Sequence, residues 1–390
     1  MKALHLFDFY LPSTLSWVAR LLDRLADVEV EVAAPWIVRN QFYHPQFQYH
    51  TFPPQRWLFP DLVSEFEHPQ GQRLFMASQR YIPTYPAWLY SRLKHNPPDL
   101  LHAHFGPTGC LYLPLSQKLA RPLAVTFYGF DYAKLPNRHP VFKEKYRKLF
   151  REAAQVIAAS EEGCAALAAM GCPETKLAIV RPSPQLDKFP FQKREKPAGR
   201  LRLVQVATVT PKKGHETSLE ALLLALPRCP GLHLTLAGER TDKALTERLR
   251  SFIRANRLEN HVAWLDFVDH RDMPDFLGQF DAFLHPSCHA PDGDHEATPV
   301  VLLEAQATGL PVLATRHFDL HREVIHGHTG LLSPERDASA LARNIGQFYG
   351  MENDDYQEFS KNARRHVEQN FDVKSSATQL RNLYQNLTGK

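Results

Sequence analysis

No window of this 390-residue chain approaches 18 uninterrupted apolar residues, so the sequence holds no obvious membrane-spanning helix. The opening "MKALHLFDFYLP" is too short, and too soon broken by Asp8 and Pro12, for a secretory signal; we expect a cytosolic chain. Cysteine is scarce: Cys110, Cys164, Cys172, Cys229 and Cys288 are odd in number and form no C-x-x-C pair, which argues for reduced thiols. Net charge is only +4, too little to suggest a nucleic-acid partner, and no short repeat or low-complexity tract appears. The charge is unevenly placed. Residues 1–187 carry 20 Lys and Arg against 16 Asp and Glu, and the remainder is balanced at 26 against 26.

What is present is a repeated alternation. "KALHLFDF", "EVEVAAPW", "DLLHAHF", "PLAVTFYG", "QVIAAS" and "LAIVRPS" are short β-rich runs separated by segments long enough for helices. Strands alternating with helices imply crossover connections and a mostly parallel sheet. Between Pro184 and Arg200 apolar periodicity gives way to Pro and charge, which reads as a linker. The alternation then resumes with "LRLVQVAT", "LHLTLAG", "VAWLDFV", "FDAFLHPS" and "LPVLAT". The sequence thus predicts two doubly wound α/β domains, residues 1–187 and 200–370, with a linker at 188–199 and a C-terminal helix at 371–390 packing back on the first domain. Such sheets bind ligands at the carboxyl ends of their strands, so the loops just after strands carry the search for a site.

One such loop is "DGDHEATPVVLLEAQATGLPVLAT", residues 292–315. Thr298 suits a helix cap, Pro299 a first helical turn and Gly309 a stop, predicting a helix over 299–308 before the strand "PVLAT". Glu304 then lies about 8 Å along the axis from the helix start, near which Glu296 sits in the loop. The helix start suits a phosphate, and the two carboxylates suit hydroxyls at either end of a sugar nucleotide. From spacing alone the alternative is a solvated Glu296 and a surface Glu304.

The residues around the pair resemble a known signature. "EATPVVLLEAQATGLPVLAT" is similar to the E-x7-E motif of the family 4 glycosyltransferases, retaining enzymes of the GT-B fold, in which two Rossmann-like domains face a cleft. "LPSTLSWV", "LLHAHFGPTG", "AVTFYGFD", "PKKGHETSLEALLLA", "HLTLAGE" and "GHTGLLSPERDASALA" extend the resemblance over nearly the whole chain. The wording is closest to bacterial transferases that build extracellular polysaccharides, such as colanic-acid-type enzymes.

The resemblance implies roles. Glu296 would contact the donor sugar, Glu304 the ribose and Lys213 of "PKKGHE" the diphosphate, with Thr208, Ala297, Thr298 and Pro299 lining the donor site. Taken alone, Lys213 reads as a solvated lysine. A fixed ammonium does, however, stabilise the charge that develops on a departing diphosphate. Ser13, Thr14, His104, Tyr128 and Asp131 would lie on the acceptor side, and Glu296, Lys213, His104 and Asp131 form the expected catalytic set. No cofactor and no dedicated nucleophile is implied, since the leaving phosphate can take the acceptor proton. The donor would be a UDP- or GDP-linked sugar and the acceptor a saccharide or a lipid-linked one.

Three positions depart from the family pattern. Tyr128 replaces the usual histidine of "HG-x-D", Ala207-Thr208 replaces a Gly-Arg pair, and "FDLHRE" (318–323) replaces a Gly-Ile-Pro-Glu loop. They leave room for a sugar-nucleotide epimerase or hydrolase of the same fold, or for a non-catalytic scaffold subunit. His102 and His104 of "HAHFG" share one face of a strand. They read as metal ligands lacking a third partner at a sensible spacing, as residues lining the acceptor site, or as hydrogen-bonded, half-buried histidines. Finally, residues 138–151 form a basic amphipathic segment. It is either an ordinary helix with a solvated cationic face or a surface for anionic lipid, peripheral on the inner face of the membrane.

Overall fold

The computed structural model describes residues 1–10, 16–37, 42–51 and 84–390. The chain divides into two units, Met1–Pro182 with Val373–Lys390, and Ser183–Asp372.

Unit 1 is built on a seven-stranded sheet. Its order is Gln48–His50, Glu29–Ala33, Lys2–Leu6, Leu100–His104, Leu123–Phe127, Gln155–Ala158, Leu177–Ile179, and each adjacent pair is parallel. Buried on both faces, the central strands are mostly apolar, as a parallel sheet requires, with His5, His102, His104 and Thr126 as buried polar exceptions. The order runs outward in one direction from Lys2–Leu6 and in the other from Leu100–His104. The switch point therefore lies between the ends of these two strands. The C-terminal helix Val373–Thr388 belongs to this unit: Val373, Ala377, Leu380 and Tyr384 recur at helical spacing and join its core.

Unit 2 repeats the plan with six parallel strands in the order Val262–Leu265, Leu232–Ala237, Leu201–Val206, Ala282–His285, Val312–Thr315, Gly330–Ser333. Its switch point lies between Leu201–Val206 and Ala282–His285. One apolar cluster covers each face of the sheet. Residues 188–199, expected as a linker, pack into this unit. Phe189 is fully buried, and the Arg194 guanidinium donates to the carbonyls of Leu277 and Phe280 and to Thr308 Oγ1 (2.8 Å). The Pro and charge of this stretch thus cover a surface of unit 2.

The helix after the 292–299 loop runs Val300–Ala307, one residue shorter at each end than expected. Pro299, not Thr298, is its N-cap, and no side chain caps it. No helix among the described residues is long and apolar enough to cross a membrane.

Candidate functional site

In unit 2 the two strands flanking the switch point supply the two charges expected in the donor site. Beyond Val206 the chain passes through Thr208, half-buried, to the 3-10 turn Pro211–Lys213 and then to Gly214. Gly214 has φ +67°, and a Cβ there would stand 1.9 Å from the Pro286 carbonyl oxygen. The turn therefore needs glycine both for its dihedral and for its closeness to the loop after the neighbouring strand. That closeness brings the Lys213 ammonium onto the Glu296 carboxylate, with both side chains largely buried. Burial works to raise the Glu296 pKa. The charges of Lys213, Lys212 and the nearby His285 outweigh it and hold the carboxyl well below the usual carboxylate range. Lys212 is itself tied to Asp294 at 3.1 Å.

Glu304 is 3% exposed, so it is not a surface position, and His270 Nε2 lies 2.9 Å from its carboxylate. His270 lies in the segment that follows strand Val262–Leu265, so Glu304 contacts a loop beyond the carboxyl end of a strand. Ala297 and Pro299 are buried and Thr298 half-buried in the connecting turn. Around the ion pair stand histidines that spacing could not single out. His285, at the end of its strand, is fully buried with Nε2 3.9 Å from Glu296 Oε2. Neither of its ring nitrogens has a hydrogen-bond partner, and burial followed by the Lys213 charge lowers its pKa to about 3. His317 Nε2 accepts the Glu296 backbone N–H at 3.0 Å.

In unit 1 the expected acceptor-side residues form a different kind of cluster. Parallel pairing sets His5 beside His102, and His102 and His104 stack at 4.4 Å between ring centroids. His5 Nδ1 lies 3.0 Å from His104 Nε2, His104 Nδ1 2.6 Å from Tyr128 Oη, and His102 between Tyr384 Oη (2.5 Å) and Thr126 Oγ1 (2.7 Å). Burial keeps all three imidazoles neutral, with His102 pushed down to about 3. His5 is thus the third histidine the spacing of "HAHFG" did not show, since it arrives from another strand. Both nitrogens of His102 and His104 are engaged in hydrogen bonds. Tyr128, in the family's histidine position, is the hydrogen-bond partner of His104. Asp131 is fully buried and accepts the backbone N–H groups of Gly106 (2.9 Å) and Tyr128 (2.9 Å), joining the two loops at the sheet's carboxyl edge. Burial raises its pKa to about 6 against these hydrogen bonds. Ser13 and Thr14 lie outside the described residues.

A second group of metal-type ligands, His289, His317 and Glu335, converges in unit 2. Its hydrogen bonds are directional. Since His317 Nε2 accepts from Glu296, its proton sits on Nδ1 and is donated to Glu335 Oε1 at 2.6 Å. A metal on Nδ1 would move that proton to Nε2, against the Glu296 N–H.

Comparison with known proteins agrees with this architecture. A family model described as glycosyl transferases group 1 matches residues 187–366, and one described as glycosyltransferase family 4 matches residues 17–183. The chain is 31% identical over 293 residues to a putative colanic acid biosynthesis glycosyltransferase of Escherichia coli (strain K12), covering 74% of this chain and 71% of that one. It is 33% identical over 261 residues to an amylovoran biosynthesis glycosyltransferase of Erwinia amylovora, covering 66% and 63%. Among solved structures, an Anabaena protein in complex with UDP and glucose superposes with a TM-score of 0.76 at 20% identity, covering 99% of this chain and 100% of that one. Sucrose-phosphate synthase from Thermosynechococcus elongatus gives 0.74, also at 20% identity, covering 100% and 99%. With its two doubly wound units of GT-B type and both family models matched, the chain belongs to the family 4 glycosyltransferases.

Proposed function

We propose that the chain transfers a sugar, with retention of configuration, from a nucleoside-diphosphate sugar to a saccharide or lipid-linked acceptor in exopolysaccharide assembly. The observation that carries this reading is the buried Lys213–Glu296 ion pair at the switch point of unit 2, with Glu304 on the adjoining helix. The diphosphate takes Lys213 as its partner and thereby frees the Glu296 carboxylate for the sugar hydroxyls. Glu304 accepts from the ribose. As the nucleotide departs, negative charge grows on its terminal phosphate, and the Lys213 ammonium is already in place to stabilise it. That phosphate takes the acceptor proton, so the protein's share is positioning and charge stabilisation, without a resident cofactor or metal. Unit 1 presents the acceptor at the edge carrying His104 and Tyr128. The kinship with colanic acid and amylovoran transferases supports the polysaccharide role, and the neighbour holding UDP and glucose supports a UDP-linked donor ahead of a GDP-linked one.

The reading is tested by consumption of UDP- and GDP-sugars. Glu296→Ala is expected to lower turnover by about 10²–10³-fold while the protein stays folded; near-wild-type turnover in that variant would overturn it.

A lipid-linked acceptor also needs a membrane nearby. Helix Val141–Glu152 buries Tyr146, Leu149 and Phe150 in unit 1 and turns Lys143, Lys145, Arg147, Lys148 and Arg151 outward with the exposed Val141. We propose that this face rests on anionic lipid at the cytoplasmic surface, each cation contributing about 1 kcal/mol. Vesicles containing phosphatidylserine should retain the chain at low salt and release it at high salt; no retention at low salt refutes the membrane contact alone.

A further inference from the structure

The "FDLHRE" departure from the family pattern has a structural counterpart beside Glu296. Phe318 adopts φ +45°, a left-handed conformation that disfavours a side chain by roughly 1–2 kcal/mol and that glycine adopts freely. Such strain persists only where surrounding contacts hold it. Here the Phe318 ring stacks on His295 at 4.2 Å between centroids, 30° from parallel. His295 Nδ1 in turn lies 3.0 Å from the Glu296 carbonyl oxygen. On the other side of the same residue, the fully buried His317 accepts the Glu296 N–H, and Glu335 fixes the tautomer that makes this acceptance possible. Glu335 is itself anchored by the His289 backbone N–H at 2.9 Å. Both backbone groups of Glu296 are therefore gripped by the His317–Phe318 turn, one directly and one through His295.

We infer that His317, Phe318 and Glu335 form a clamp that positions Glu296 for the donor sugar. The three are positioning residues, since they act through Glu296. This inference rests on the reading of Glu296 given above. It gives the departing "FDLHRE" loop a holding device of its own in the strained Phe318. A glycine there would be unstrained but would leave His295 without its stacked ring.

The test compares affinities for UDP and UDP-glucose, and for GDP and GDP-mannose, by calorimetric titration of the full chain. The gain in affinity from the sugar isolates the contact Glu296 makes. In Glu296→Ala that gain is expected to vanish while nucleotide binding remains. His317→Ala and Phe318→Gly are expected to lose most of the same gain, about tenfold, the worth of one well-placed hydrogen bond. His317→Gln is expected to recover it, because its amide oxygen can accept from Glu296 while its N–H₂ donates to Glu335. Should His317→Ala unfold, Glu335→Ala probes the same tautomer from a partly exposed site. Loss of the gain in Glu296→Ala but not in the clamp variants overturns the clamp and leaves the donor-site reading standing. An undiminished gain in Glu296→Ala, or no gain in the wild type, overturns the reading of Glu296 and the clamp with it. Equal loss in His317→Ala and His317→Gln also overturns the hydrogen-bond argument.

Discussion

In unit 1 the carboxyl edge of the sheet gathers His5, His102 and His104, imidazoles that burial holds neutral and that bond to one another, to Tyr128 and to Tyr384. In unit 2 the matching edge gathers the Lys213–Glu296 ion pair, two opposite charges buried together, beside the Glu304–His270 and His317–Glu335 hydrogen bonds. The sheets follow the same order about a switch point, unit 1 adding one edge strand, and the contrast lies in the side chains: unit 1 sends its histidines from the strands themselves, unit 2 its ion pair from the loops that follow them. A buried ion pair can exchange one member for a ligand of the same sign, whereas a closed network of neutral groups has no charge to exchange. This difference is why the anionic diphosphate is assigned to unit 2 and an uncharged hydroxyl acceptor to unit 1.

The comparison can be broken in order of effect. Lys213→Ala removes the exchangeable cation and should cost about 10²–10³-fold in turnover, measured on sugar-nucleotide consumption. If it costs less than tenfold, the ion pair is structural.

Acidification separates neutral from charged burial. A histidine whose folded pKa lies below its unfolded value contributes stability that is fully present above pH 6.5 and is lost as pH falls towards the folded value. His5, His102 and His104 all behave in this way. His5→Leu should therefore flatten the acid limb of stability below pH 6.5 by up to about 1.4 kcal/mol per pH unit. Denaturant titrations at pH 7, 6 and 5 read this slope, and an unchanged slope means His5 is protonated in the folded state.

Gly214→Ala adds a methyl against the Pro286 carbonyl at a positive φ. It should lower stability by roughly 1–2 kcal/mol from the dihedral alone and weaken nucleotide binding as the turn shifts. Wild-type melting and binding together would show the turn is not held where we place it. The smallest effect is expected in unit 1. Tyr384→Phe removes the hydroxyl on His102 Nδ1 and should cost about 1 kcal/mol without changing nucleotide affinity. A loss of nucleotide affinity there would mean that the two clusters are coupled.

The doubly wound plan was legible because parallel strands and crossover helices leave a long alternation in the sequence; the motifs singled out Lys213, Glu296 and Glu304 as candidates, while the contact between the first two was not in the spacing. Other features depend on contacts that spacing does not encode. His5, His285 and His317 come from separate strands or loops, and only the register and strand order bring them beside His104 or Glu296. Histidines at or just beyond the ends of apolar runs, as in "FLHPS" and "LATRH", were the available signal. The stretch 188–199 looked like a linker because its composition is polar, yet Arg194 is buried by accepting carbonyls. The burial of Glu304 likewise depends on His270 lying against it, which helical spacing does not encode.

The central claim, that an anion takes Lys213 from Glu296, is tested most directly by titrating UDP and GDP into the wild type and Lys213→Ala. The account predicts that at least one nucleotide binds the wild type and binds Lys213→Ala more weakly by tenfold or more, with Glu296→Ala binding at least as tightly as the wild type because its lysine no longer has to exchange partners. Equal affinity in wild type and Lys213→Ala would contradict it.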